Sequence, residues 1–158
     1  MVRTSKKVVD RLLSFSVVES KPLMRFFTWL NIRVYRLSGG RLMNTVDGCP
    51  ICLATITGRK SGQRKTLALM YVPHGDDVLL VASLGGSPKN PLWYLNLLAN
   101  PQVDIEIRGR RRQLLAREAS PEEHARLWPV AVAHYPSYAE YQKRTERRIP
   151  ILICSAAR

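Results

Sequence analysis

The sequence predicts an α+β chain, mainly β, in which about six antiparallel strands close into a barrel decorated by helices. Three observations predict it. Short apolar or alternating runs recur at 51–56, 66–73, 78–82, 103–107, 113–117 and 149–154. Turn residues separate several of them, with His74-Gly75-Asp76-Asp77 and Gly109 at hairpin positions. Helical segments fall between some strands in no regular β-α-β rhythm, which argues against a parallel sheet.

Length and charge frame the elements. At 158 residues the chain is expected to form one domain overall, with 1–45 as a basic amphipathic helical segment and 46–158 as the barrel. Lys+Arg number 25 against 12 Asp+Glu, a net charge of +13. Such a surface prefers anionic partners, whether nucleic acid, an acidic membrane face or a phosphorylated ligand. No helix-turn-helix, zinc-finger or ribonucleoprotein pattern supports nucleic acid, so none is expected. The odd count of cysteines, Cys49, Cys52 and Cys154, argues against a secreted disulfide scaffold. Lys6, Lys7, Asp10 and Arg11 interrupt any early signal-like apolar run. No stretch approaches the roughly 18 apolar residues needed to span a bilayer, so a cytoplasmic location is expected.

In chain order, Val8, Val9, Leu12 and Leu13 recur at helical spacing, and Ser20-Lys21-Pro22 marks a break where Ser20 caps a second helix. That helix carries Phe26, Phe27, Trp29, Leu30, Ile32 and Tyr35 among Arg25, Arg33, Arg36 and Arg41, and Gly39-Gly40 ends it. It reads first as a cover on one side of the domain, and second as a peripheral attachment to an anionic membrane. Cys49-Pro50-Ile51-Cys52 runs into a strand rather than opening a helix, so its cysteines read as structural, not as a redox pair. His74, His124 and His134 lack zinc-like spacing with it, and no metal is expected.

Thr57-Gly58-Arg59-Lys60-Ser61-Gly62-Gln63-Arg64-Lys65 is a hairpin loop in which four cations fall within seven residues. A solvated charge run explains it, as does a loop folded around an anion through Gly58 and Gly62; it lacks the Walker spacing. The stretch 82–101 passes from strand through Gly85-Gly86 to a helix, with Pro91 suited to the first helical position. Two adjacent glycines let successive N–H groups converge on an anion, with Ser83, Ser87, Lys89 and Asn90 adding side-chain donors. A tight turn with an ordinary helix cap would use the same residues.

Strict alternation at 103–107, the turn at Gly109 and a return at 113–117 complete a hairpin. Ser120-Pro121-Glu122-Glu123 then starts a helix with a cap, a first proline and acids in its first turn. Tyr135, Tyr138 and Tyr141, three residues apart, would share one helical face. They pack that helix on the barrel or wall a pocket for a flat ligand.

Together, 57–63 (TGRKSGQ), 81–87 (VASLGGS), 90–101 (NPLWYLNLLANP), 135–141 (YPSYAEY) and the closing IPI resemble the deazaflavin-dependent nitroreductase and quinone reductase family of actinobacteria. The resemblance covers about residues 25–155 in order. It implies a split β-barrel like that of the FMN-binding proteins. It also implies hydride transfer from reduced deazaflavin coenzyme F-420 to a quinone, an activated alkene or a nitroaromatic. A binding or carrier protein for F-420 or FMN on the same fold is the alternative.

By that resemblance Arg59, Lys60 and Lys65 meet the coenzyme's phosphate and glutamate tail, with Arg64 as a spare cation. Ser83, Gly85 and Gly86 line it beside the ring, and Asn90, Trp93 and Asn96 shape the pocket. Tyr135, Tyr138 and Tyr141 form the substrate wall, and Tyr138 is the expected catalytic hydrogen-bond donor to the acceptor oxygen. Leu84 stands where relatives often carry lysine, which removes one phosphate contact. Split barrels of this type often dimerise.

Overall fold

A computed structural model of the chain describes residues 21–157, and the expected first helix and the Ser20 cap lie outside them. Its elements run α1 (Lys21–Leu37), β1 (Thr45–Val46), β2 (Cys49–Thr57), β3 (Arg64–Met70), β4 (Val72–His74) and β5 (Asp77–Val81). A single 3-10 turn (Leu84–Gly86) leads to α2 (Leu92–Ala99), followed by β6 (Gln102–Ile107) and β7 (Arg110–Glu118). Then come α3 (Pro121–His134), α4 (Ser137–Lys143) and β8 (Ile151–Ser155).

The neighbours in the sheet run β1-β2-β6-β7-β8-β5-β4, every pairing is antiparallel, and β3 returns to β2. β3 and β4 are two halves of one strand bent at Tyr71. The first half pairs with β2 and the second with β5, which brings the sheet round on itself. The predicted run 66–73 is thus one bent strand, and the fold is the expected six-stranded antiparallel split barrel with the two-residue β1 added at an edge.

Alternation builds two cores from the same strands. Cys52, Ala54, Ile56, Leu80, Ile105, Leu114, Leu152 and Cys154 fill one, closed by Tyr94 and Leu97 of α2. Leu79, Val81, Ile151 and Ile153 project to the other face and pack on Leu127 and Ala131 of α3 and on Tyr135 and Tyr138. Because β5 and β8 feed both cores, their residues read as continuous apolar runs. Cys49 and Cys52 lie three apart on one strand and therefore enter different cores, which forbids a dithiol pair. All three cysteines are free and buried.

Element boundaries follow local chemistry. Ser120 Oγ accepts from Glu123 N–H at 3.2 Å while Glu123 Oε2 accepts from Ser120 N–H at 2.9 Å, so the predicted start of α3 is a complete capping box. Arg108 and Gly109, at φ 48° and 76°, make the two-residue turn of the β6–β7 hairpin. Tyr35 at the end of α1 is buried on Ile51 and Leu53, and its hydroxyl accepts from Arg108 N–H at 2.9 Å. α1 therefore covers one side of the barrel with its C-terminal half. Its earlier residues Phe26, Phe27, Trp29 and Leu30 stay exposed.

Candidate functional site

The stretch between β5 and α2 is built around three successive residues in left-handed backbone. Leu84, Gly85 and Gly86 have φ of 44°, 63° and 82°. Glycine adopts such angles freely, whereas Leu84 holds its own at a cost of about 1–2 kcal/mol. Its side chain is 54% exposed and lies at the rim of a cavity. Gly86 packs so closely that a Cβ there would lie 2.5 Å from the Tyr141 carbonyl oxygen of α4.

Two details correct the sequence reading. The turn does not leave all its N–H groups free, because Gly86 N–H donates to Ser83 O at 3.0 Å and Ser87 N–H to Leu84 O at 3.1 Å. Pro91 is the N-cap of α2 with an extended ψ of 148°, not its first helical residue.

A cavity of about 280 Å³ opens beside this turn. Ser83, Leu84 and Trp93 line one side, and Ile51, Met70 and Tyr138 are among the residues that line the rest. Its wall is largely apolar, and Ser83 and Tyr138 are the lining residues that carry hydroxyls. Tyr138 is 2% exposed, and among the described residues its hydroxyl has no hydrogen-bond partner. Burial, with Cys49 and the other two tyrosines nearby, pushes its pKa well above the ordinary phenol value. It is a neutral donor across the working pH range.

The three tyrosines do come together, though not along one helix. Tyr135 is the C-cap residue of α3, before α4 begins, while Tyr138 and Tyr141 belong to α4. Tyr135 and Tyr138 meet edge to face at 5.0 Å, and Tyr141 lies 6.2 Å and 6.4 Å from them. Tyr135 donates to Asp47 Oδ2 at 3.3 Å and shares a 3.3 Å hydrogen bond with Tyr141. Only Tyr138 of the three lines the cavity.

The basic hairpin loop is shorter than predicted, since Arg64 and Lys65 belong to β3. Gly58 N–H donates to Gln63 O at 2.8 Å, and Gly62 N–H to Gly58 O at 2.9 Å, which coils the loop on itself. Arg59 N–H donates to Asn96 Oδ1 at 3.1 Å, tying the loop to α2. Asn96 stands one turn beyond Trp93, so one helix joins the loop to the cavity wall. Arg59, Lys60 and Lys65 are exposed, and none makes an ion pair among the described residues.

Arg64 is not a spare cation. It donates to Asp104 Oδ2 at 2.7 Å, and Arg111 binds the same oxygen. Burial alone would raise the Asp104 pKa, but those two hydrogen bonds outweigh it and hold the carboxyl below its usual range.

One residue that motif reading passed over, Arg147, reaches into the turn from the segment before β8. Its guanidinium donates to the carbonyls of Ala82, Ser83 and Ser87 and to Asn90 Oδ1 at 2.8–3.1 Å. Within the run Arg147-Arg148 nothing in sequence distinguishes it from its neighbour. Asn90 and Asn96 therefore act on the protein itself through their carbonyl oxygens, leaving their amide nitrogens to donate.

This donor set suits an anionic, flat cofactor: loop cations without an ion pair among the described residues, a turn with room for close backbone approach, and an apolar slot lined by Ser83 and Tyr138. Residues 27–156 match the model of the F420H(2)-dependent quinone reductase family. The chain belongs to that family. An F420H(2)-dependent quinone reductase of Mycobacterium tuberculosis is 38% identical over 128 residues, 78% of this chain and 86% of that protein. A second relative from the same organism, described as a putative F420H(2)-dependent quinone reductase, is 41% identical over 104 residues, 66% of this chain and 87% of its own.

Among solved structures, one described as an F420-H2 dependent reductase superposes with a TM-score of 0.63 at 44% identity, over 67% of this chain and 94% of that one. Another, described as a domain-swapped dimer, gives 0.64 at 39% identity, over 80% and 97%. The expected family, fold and coenzyme class are those the comparisons bear out. Family membership makes the chain an oxidoreductase whose reductant is the reduced deazaflavin coenzyme and whose acceptor is a quinone. Among the described residues no cluster could hold a metal ion, and no helix is long and apolar enough to cross a membrane.

Proposed function

We propose that quinone reduction takes place in the cavity beside the 83–86 turn, with Tyr138 as the catalytic residue that hydrogen-bonds the acceptor oxygen. The observation that carries this reading is Tyr138, a buried residue that lines the cavity and whose hydroxyl has no hydrogen-bond partner among the described residues. The coenzyme, when bound, supplies the hydride. The protein holds both reactants and stabilises the charge that grows on the acceptor oxygen. Solvent or the phenol itself delivers the proton.

Arg59, Lys60 and Lys65 are the residues we assign to the phosphodiester and glutamate tail, on their free charge. Arg64 is assigned instead to holding Asp104. Ser83, Gly85 and Gly86 are assigned to the coenzyme, and Trp93, with Asn90 and Asn96 behind it, to the pocket wall. Tyr135 and Tyr141, which pack against Tyr138, are assigned to the substrate wall only through it. Activated alkenes and nitroaromatics share the electron-poor character of quinones and are further acceptors on this reading.

The test is a fluorescence titration of oxidised coenzyme F-420 into the protein, with FMN in parallel, followed by turnover with menadione. Micromolar or tighter F-420 binding, no FMN binding and menadione reduction are the expected results. Binding without turnover of any quinone, enone or nitro compound would leave a carrier and overturn the catalytic reading. A preference for FMN would overturn the coenzyme assignment.

The exposed face of α1, with Phe26 54% and Trp29 51% exposed beside Arg25 and Arg33, supports peripheral contact with an anionic bilayer. The dimeric relative supports a homodimer. Sedimentation of the full chain with and without anionic vesicles reads both. A monomer that stays in the supernatant would count against both.

A further inference from the structure

We infer that Arg147 is the positioning residue of the coenzyme turn, an inference that rests on the assignment of residues 83–86 to the coenzyme. Arg147 lies 57 to 65 residues from the groups it binds, so nothing local forces the contact. Its Nε donates to Ser87 O at 2.8 Å and its Nη1 to Asn90 Oδ1 at 2.8 Å. Its Nη2 donates to both Ala82 O at 3.1 Å and Ser83 O at 2.9 Å. Four acceptors on one planar group fix the entry, the exit and the residue before the α2 cap at once.

Two consequences follow for the site. No cis peptide occurs among the described residues, so the Ser83–Leu84 peptide carries its N–H opposite its carbonyl. With Ser83 O held by Arg147, the Leu84 N–H is turned away from the guanidinium, on the residue pair that lines the cavity. In addition, Arg147 makes no ion pair among the described residues, so its charge is not cancelled by a carboxylate. A positive group beneath a turn raises its affinity for an anion.

The other side of the turn is held too. Gly86 abuts the Tyr141 carbonyl, and Arg144 Nη1 donates to Gly85 O at 3.4 Å. The strained angle at Leu84 thus persists because the segment from α4 to β8 grips the turn from two directions. Lysine cannot replace the grip, since its ammonium lacks the planar fork that reaches separate acceptors.

The experiment compares Arg147→Lys with Arg148→Ala, which removes a full charge from the exposed neighbouring residue. Arg147→Lys should raise the F-420 dissociation constant tenfold or more, while kcat at saturating coenzyme and the KM for menadione stay within twofold. Arg148→Ala should leave all three within twofold. Hydrogen exchange at the Gly86 and Ser87 amides, measured without coenzyme, should quicken at least tenfold in Arg147→Lys alone.

That exchange readout stands even if the wild-type chain binds no F-420, so failure of the coenzyme assignment is separable from failure of this inference. Unchanged exchange, or equal loss of coenzyme affinity in Arg148→Ala, overturns it. If Arg147→Lys does not fold, Asn90→Ala removes one of the four bonds and should weaken F-420 binding about threefold. No change there overturns the inference as well.

Discussion

Tyr138 is set apart from the other two tyrosines by its surroundings. Three tyrosines at equal spacing look equivalent in the chain, yet only Tyr138 of the three lines the cavity, and among the described residues its hydroxyl has no hydrogen-bond partner. Tyr135 and Tyr141 spend their hydroxyls on each other and on Asp47. Tyr138→Phe keeps the ring and its packing, so the melting temperature and the F-420 dissociation constant should hardly change. The rate with menadione should fall by about a hundredfold to a thousandfold, the range for losing one donor to a developing oxyanion. Since burial raises the Tyr138 pKa, its phenol stays protonated beyond the ordinary value of about 10. The wild-type rate should therefore show no loss from tyrosine ionisation between pH 6 and about 9. A Tyr138→Phe enzyme with wild-type turnover would remove it from the chemistry.

At the scale of elements, the glycine turn and α4 form one unit. The pair Gly85-Gly86 looks symmetrical in sequence but not in space. At Gly85 a Cβ would meet nothing within 4 Å, whereas at Gly86 it would sit 2.5 Å from backbone oxygen and 2.9 Å from Arg144 Cβ. Gly85→Ala should cost about 1 kcal/mol, the backbone penalty alone. Gly86→Ala should cost at least about 2 kcal/mol more by denaturant unfolding, because α4 must move with the turn. Equal costs at the two positions would mean that α4 does not seat on the turn. Elsewhere local signals were sufficient: the capping box of α3 and the turn at Gly109 were legible because neighbours in sequence satisfy each other. The extent of the basic loop was not, since β3 begins at Arg64, where the backbone pairs with Thr57, and the Arg64 side chain is held by Asp104, 40 residues away.

Across the whole molecule, the two cores explain why the cysteines are inert and what alkali should do. Burial first, then Cys154, pushes the Cys52 thiol from 9.0 to about 12, and burial with Asp77 does the same to Cys154. In the unfolded chain these thiols ionise near their ordinary value, while in the fold they remain protonated. Their contribution is thus complete below about pH 9 and is lost as pH rises through about 12. Unfolding free energy should fall over that window by up to about 1.4 kcal/mol per pH unit for each thiol. Denaturant titrations at successive pH values will read this slope, and Cys154→Ala should remove one thiol's share. An unchanged slope in that variant would place the alkaline loss elsewhere.

By itself the sequence determined the antiparallel barrel, the order of its strands along the chain and the anionic character of its ligand. Periodicity, turn residues and net charge are properties of neighbours and sums. It also carried the motifs that mark the family. Only the tertiary structure decided that 64–74 is one bent strand closing the barrel, that Tyr138 alone faces the cavity, and that Arg147 rather than Arg148 grips the turn. The bend depends on which neighbouring strand each half pairs with, and the Arg147 grip on groups that meet across 57 to 65 residues of chain. Such meetings are set by closure of the barrel and packing of α4 against it, which no local pattern encodes.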